Sequence, residues 1–175
     1  GNVIGGGDWA LDRLIPDALK AFEKNQTVIV RNPLATRPWQ HVLEPLSGYL
    51  VLAQRLFHEF ETESALSENA SFADGWNFGP KDEDALPVKE ILDKMVSAWG
   101  EGAAWELDKE SHPHEANFLK LDISKANKKL QWKPTWKLEK TLYKIVAWHK
   151  SWNAGSSMNA KCIDEIKEYM NDMKA

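Results

Sequence analysis

Cysteine occurs once, at Cys162, among 175 residues. A lone thiol excludes a disulfide framework and a thiolate metal cluster, and it points to a reducing, cytoplasmic compartment. Long apolar runs are missing too. None approaches the ~20 residues that a membrane-spanning helix needs, and no signal-peptide pattern stands at the start. There is no surplus of positive charge: 22 basic residues face 26 acidic ones, a net charge of −4. That argues against bulk binding to nucleic acid. Arginine is scarce. The only arginines are Arg13, Arg31, Arg37 and Arg55, all in the first third of the chain. Arginine is the better bidentate partner for phosphate or carboxylate. An anion site in this third is one reading of the clustering, and compositional drift is the other. What remains, 43% hydrophobic and 27% charged, is the composition of a globular domain with a real core.

The glycine-rich opening, "GNVIGGGDW", fits neither G-x-G-x-x-G nor the Walker pattern, so it is no phosphate-binding fingerprint. A tight surface turn is its plain reading. Val3 and Ile4 read as the end of a buried strand. Apolar spacing predicts a helix over Leu14, Ile15, Ala18, Leu19 and Phe22, opened by Pro16. "TVIVRNP" (27–33) predicts a strand stopped by Asn32 and Pro33, and "WQHVLE" (39–44) a shorter extended piece. Pro45 opens a second helix, with Leu46, Tyr49, Leu50, Ala53, Leu56, Phe57 and Phe60 on one face. Residues 61–75 read as a loop, and "WNFGP" (76–80) as a short strand. Pro87 opens a third helix running to Trp99. "AAWEL" (103–107) and "FLKLD" (118–122) read as short strands, and Ser124 as the cap of a short helix ending at Leu130. Apolar spacing marks two more helices, over 138–152 and 163–173. Most of the nine tryptophans read as core. The whole describes one irregular α/β region, residues 1–175, not a complete doubly wound sheet.

Three segments carry candidate chemistry. In "VRNPLATRPWQHV", Arg31 and Arg37 flank a turn stiffened by Pro33 and Pro38. A rigid turn presenting guanidinium forks suits a diphosphate; two exposed arginines in a hairpin loop is the alternative. "SHPHEANFLKLD" groups His112, His114 and Glu115. Their spacing matches no common zinc pattern, so no metal is expected, and contact with a polar ligand competes with a solvated loop. Asn2 and Asn77 each end an apolar strand, where clefts form in α/β folds. Local capping of the backbone is the other reading.

In their order along the chain, "GNVIGGGDWALDRLIPD", "VIVRNPLATRPWQHVLEPLSGYL", "WNFGP" and "HPHEANFLKLDISKANKKLQWKPTW" closely resemble the C-terminal half of the CDP-glucose 4,6-dehydratase family. That family lies in the extended short-chain dehydrogenase/reductase superfamily. The resemblance implies the C-terminal part of an NAD(P)-binding Rossmann-fold enzyme: a mostly helical substrate-binding lobe with short strands, the N-terminal Rossmann core being absent. In the family that core holds the dinucleotide fingerprint and a Tyr-x-x-x-Lys pair. Here Tyr49, Tyr143 and Tyr169 are followed four residues later by Ala53, Ala147 and Met173. The chain alone is therefore expected to be inactive and to hold no NAD.

For the complete enzyme, the resemblance implies an NAD-dependent lyase. It oxidises C4 of CDP-glucose, eliminates water across C5–C6 and returns the hydride to C6. The product, CDP-4-keto-6-deoxyglucose, serves deoxysugar, O-antigen and lipopolysaccharide synthesis. A cytoplasmic homo-oligomer without nucleic-acid or membrane partners is expected.

The resemblance also implies roles for residues. Asn2 contacts substrate beside the nicotinamide. Arg13 lies near the diphosphate, with Leu14 lining the base pocket. Val28, Ile29, Val30 and Arg31 form the strand beside the base. Arg37 clamps the diphosphate and Asn77 lies near it. His114 and Glu115 fall in the block that closes over the nucleotide, where related branches carry an arginine. Two rival readings share these residues: another nucleotide-sugar epimerase or dehydratase with a different base, and a free-standing, non-catalytic binding module. Apolar surface near Val3 and Ile4, and on the helix after Pro45, is expected to be partly uncovered.

Overall fold

Proline in or just before the first helical turn removes an N–H that has no intrahelical partner anyway. The computed structural model of the chain, which describes residues 2–61, 72–110 and 117–174, uses this device three times. Pro16 is the third residue of α1 (Leu14–Glu23), Pro45 the third of α2 (Leu43–Glu61), and Pro87 immediately precedes α3 (Val88–Trp99). Two more helices, α4 (Leu138–Asn153) and α5 (Met158–Asp172), complete the helical part. Ser157 caps α5 by accepting from the Ala160 amide at 3.4 Å.

The strands are short and parallel. β1 (Asn2–Ile4) pairs with β3 (Trp39–His41), Asn2 opposite Trp39 and Ile4 opposite His41. β2 (Thr27–Val30) pairs with β4 (Ala104–Leu107), Thr27 opposite Ala104 and Val30 opposite Leu107. Along β2, Val28 and Val30 point into the core and Thr27 and Ile29 outward, as a period of two requires. The main core joins these strands to α1, α3 and α4 through Ile15, Leu19, Phe22, Ile91, Met95, Leu142 and Ile145. A smaller core of Phe78, Ala126, Leu130 and Trp132 lies against α2. There Gly48 is required, because a Cβ would stand 2.3 Å from the Phe78 ring.

Several expectations change. Residues 76–80 form no regular strand, and 118–122 contribute only an isolated bridge from Phe118 to Thr36. Both segments spend their backbone groups on irregular partners; Gln40, for example, donates its side-chain amide to the Phe78 carbonyl at 2.8 Å. Ser124 does not cap. Instead the Asp122 carboxylate accepts from the Ser124 amide at 2.8 Å, and the short helix closes in a π-turn over Ala126–Leu130. The extended piece at 39 stops at His41, because α2 begins two residues before Pro45. Ile4 is buried, held between β3 and α4 rather than uncovered. The stripe on α2 is uncovered as expected: Leu50 is 73% exposed and Phe60 80%. Among the tryptophans, Trp39, Trp132, Trp136 and Trp148 are core, whereas Trp9 and Trp152 are 42% exposed.

The glycine turn packs closely against α4. A Cβ on Gly6 would lie 2.2 Å from the Trp148 ring, and Gly7 has φ +78°. Trp9 then lies across Trp148, His149 and Trp152, with ring centres 6.3, 5.6 and 4.5 Å away. The motif fastens the chain between β1 and α1 onto α4.

Candidate functional site

A cavity of about 530 Å³ opens where β2 ends, between the start of α1 and the turn that leads to β3. α1 supplies Leu14 and Asp17, with Asp12 just before it. β2 and its continuation supply Val28, Ile29, Val30, Arg31 and Asn32, and Arg37 comes from the turn. Asn2 and Trp39, opposite each other in the β1–β3 register, form the back wall. The volume is within the ordinary range for small-ligand sites.

The turn that carries the arginines is braced from two sides. On one side, the amide of Thr36 donates to the Asn117 carbonyl at 2.8 Å, and the amide of Leu119 to the Thr36 carbonyl at 3.1 Å. Asn32 and Asn117 join side chain to side chain at 3.1 Å. On the other, Val88 and Lys89 donate to the carbonyls of Ala35 and Pro33 at 3.0 and 2.9 Å. Arg37 donates one guanidinium hydrogen to the Thr36 carbonyl at 3.0 Å. Among the described residues, neither Arg31 nor Arg37 pairs with a carboxylate. Their forks remain available to an anionic ligand.

Arg13 stands apart. It lines an adjoining cavity of about 230 Å³, which shares Asn2, Asp12, Leu14 and Trp39 with the first. Asp8 pairs with it at 3.2 Å, and Val3 accepts from it at 3.4 Å. Asn77 lines neither cavity; it donates to the Asp122 carbonyl at 3.2 Å. His114 and Glu115 lie outside the described residues. Sequence reasoning missed Asp12, Asp17, Asn32 and Trp39 as lining residues. The one available signal was Asp17, a helical turn beyond Leu14 and so on the same face.

The most perturbed groups lie elsewhere. Burial, then Lys144, holds His41 down to about 4. Burial raises the Glu44 carboxyl, though amide donors from Trp136 and Thr135 and the Tyr169 hydroxyl pull the other way. Burial also pushes the Tyr169 hydroxyl well up. Glu44 and Tyr169 tie α2 to α5, and none of the three groups lines the cavity. A larger hollow of about 820 Å³ between α3, α4 and α5 contains none of the candidate residues. Of its lysines, Lys140 is already paired with Glu168 and Asp172 at 2.8 and 2.6 Å. Among the described residues, no group of three or more His, Cys, Asp or Glu could hold a metal, and no helix is long and apolar enough to cross a membrane.

No family model matches the chain. A CDP-glucose 4,6-dehydratase from Salmonella typhimurium is 60% identical over 170 residues, which is 97% of this chain but 45% of that protein. The chain thus spans less than half the length of this relative. Among solved structures, UDP-glucuronic acid 4-epimerase from Bacillus cereus, in complex with UDP-glucuronic acid and NAD, superposes with a TM-score of 0.66 at 19% identity. The match covers 86% of this chain and 43% of that one. A dTDP-glucose 4,6-dehydratase from Bacillus anthracis, in complex with NAD, gives 0.64 at 16% identity over 86% and 42%. Sequence over nearly the whole chain and fold over most of it agree: the chain is similar to part of a CDP-glucose 4,6-dehydratase and shares its fold with the solved nucleotide-sugar epimerase and dehydratase.

Proposed function

We propose that the chain is the nucleotide-sugar-binding part of a CDP-glucose 4,6-dehydratase. The complete enzyme is a cytoplasmic NAD-dependent lyase that makes CDP-4-keto-6-deoxyglucose for the deoxysugars of O-antigen and lipopolysaccharide. One observation carries the reading: Arg31 and Arg37, unpaired with any carboxylate among the described residues, are held on a braced turn at one cavity. The same cavity has apolar wall from Leu14, Val28 and Val30. Forked donors suit a diphosphate, and an apolar slot suits a base. Asn2 stands at the back wall, where the sugar end would reach it. Arg13, already paired with Asp8, serves the diphosphate from the adjoining cavity. Asn77, His114 and Glu115 are proposed to complete the enclosure.

The chemistry needs NAD: a ketone at C4 acidifies the C5 proton and makes loss of water feasible. The close approach of Trp148 to the glycine turn supports a packing role for that turn rather than a dinucleotide cradle. NAD belongs to the rest of the enzyme, and the isolated chain neither turns over substrate nor retains the cofactor. The stripe on α2 supports a larger protein over a free-standing module, because so much apolar surface on one helix calls for a cover.

Calorimetric titration of CDP-glucose into the full-length enzyme tests the clamp. Charge-assisted hydrogen bonds are worth about 1.5–3 kcal/mol, so Arg37→Ala weakens binding roughly 10- to 100-fold. Arg37→Lys recovers part of the loss, because it keeps the charge without the fork. Arg55→Ala, on the exposed side of α2, changes little. Equal losses in Arg37→Ala and Arg55→Ala overturn the assignment.

A further inference from the structure

The cavity is charged asymmetrically. Arg31 and Arg37 line it from the turn after β2, and Asp12 and Asp17 from the side of α1. The two acids differ. Asp12 is exposed, stands on left-handed backbone at φ +57°, and also lines the adjoining cavity with Asp8 and Arg13. Asp17 is half-buried in the first turn of a ten-residue helix and lines only the cavity that holds β2. Among the described residues its carboxylate has neither a cation nor a hydrogen-bond donor as partner. A half-buried carboxylate of this kind is an acceptor waiting for a donor.

Pyrimidines differ at C4. Cytosine carries an amine there, a donor; uracil and thymine carry a carbonyl oxygen, an acceptor. A carboxylate accepts and cannot donate. Beside Leu14 and β2, at C4, it accepts a hydrogen bond from the first base and faces an unmatched carbonyl oxygen in the other two. We infer that Asp17 is the specificity-determining residue of this site, reading the exocyclic amine of a cytosine base while Arg31 and Arg37 hold the diphosphate at the other end. The inference rests on the nucleotide-sugar reading above and assigns its base to one side chain. An aspartate in a first helical turn also complements the helix dipole. That role alone leaves base preference untouched.

The test is calorimetric titration of CDP and of UDP, separately, into the full-length enzyme and its Asp17→Asn, Asp17→Glu, Asp12→Asn and Arg37→Ala variants. Wild type binds CDP more tightly than UDP. Asp17→Asn replaces part of the acceptor with a donor, so the CDP-over-UDP ratio falls about tenfold or more, with CDP weakened and UDP unchanged or improved. Asp17→Glu keeps the carboxylate and retains a preference for CDP. Arg37→Ala weakens both ligands by a similar factor and preserves the ratio. A ratio within twofold of wild type in Asp17→Asn overturns the inference and leaves the nucleotide reading standing. So does a collapse confined to Asp12→Asn, which moves the acceptor to another residue. Binding of neither nucleotide by wild type overturns both.

Discussion

Glu44 is fully buried near the start of α2, and its carboxylate fastens three parts of the chain together. Oε1 accepts from the Trp136 amide at 2.7 Å; Oε2 accepts from the Thr135 amide at 2.9 Å and the Tyr169 hydroxyl at 2.7 Å. Ser47, one turn along, donates to the Glu44 carbonyl at 2.7 Å and accepts from the Trp132 indole at 2.9 Å. Removing the hydroxyl in Tyr169→Phe deletes one hydrogen bond to a buried carboxylate, together with the 3.1 Å hydroxyl contact to Ser47, and leaves the two amide bonds and Ser47's bonds to the Glu44 carbonyl and the Trp132 indole intact. Such a bond contributes about 1.5–3 kcal/mol, which is the expected loss. Glu44→Gln is harsher than its size suggests. Whichever way the amide turns, its NH2 meets the N–H of Thr135 or of Trp136, and a buried donor without an acceptor costs about 1–3 kcal/mol. The double variant loses less than the sum, because Glu44→Gln already replaces the charged acceptor of the Tyr169 hydroxyl with a neutral amide, so the two changes share that bond. Urea unfolding followed by tryptophan fluorescence reads this directly, since Trp132 and Trp136 sit in the network. A Tyr169→Phe loss under about 0.5 kcal/mol, or strict additivity in the double variant, would refute the reasoning.

Other consequences follow from single features. His41 is buried and held near 4, against 6.5 when unfolded. The unfolded chain therefore takes up the proton first as pH falls. Stability is complete above about 6.5 and declines towards pH 4, at no more than about 1.4 kcal/mol per pH unit; urea midpoints steeper in wild type than in His41→Gln across this window check it. Gly6→Ala places a methyl against the Trp148 ring, and the overpacking destabilises by about 1–3 kcal/mol in the same unfolding assay. The isolated chain self-associates through the outer stripe of α2, and Leu50→Glu with Phe60→Glu suppresses this; a clean monomer of the unmutated chain by light scattering at high concentration counts against it. CDP-glucose turnover by the isolated chain contradicts the proposal that it serves only as the binding part of a larger enzyme.

Periodicity made the helices legible. The sets Leu14–Phe22, 88–99 and 138–152 show as apolar residues at i, i+3 and i+4, and all three face the main core. β2 was equally plain, because Val28 and Val30 alternate with Thr27 and Ile29 between turn residues. The segments at 76–80 and 118–122 misled for a physical reason. Each is apolar and short enough for a strand, but strand pairing is decided by what lies alongside, and these lie beside the irregular turn at 36 and the side chain of Gln40. At the site, the arginines showed themselves by scarcity and by the prolines around them. The acids did not: an aspartate after Leu-Ile-Pro looks like any first-turn residue until β2 is seen across from it.

α2 inverts the ordinary amphipathic rule, and its two faces explain each other. Its most buried residues are polar or small, Glu44, Pro45, Ser47, Gly48 and Glu59, with Val51 and Leu52 half-buried against the smaller core. None is left wanting. Glu44 and Ser47 are satisfied by the loop at 132–136 and by Tyr169, and Glu59 accepts from the Phe72 amide. Its outward face carries Leu46, Tyr49, Leu50, Phe57 and Phe60, all exposed. Read as an isolated helix, it would turn over and bury the apolar stripe. Turning it over would strand a buried carboxylate's three donors and replace Gly48, which lets Phe78 approach the helix backbone, with a larger side chain. The orientation is therefore fixed from inside by hydrogen bonds, and the apolar stripe faces outward as the surface to which the other half of the proposed enzyme is expected to bind. A helix gripped by polar contacts on one side and covered by apolar ones on the other can join two lobes while neither core has to pass through it.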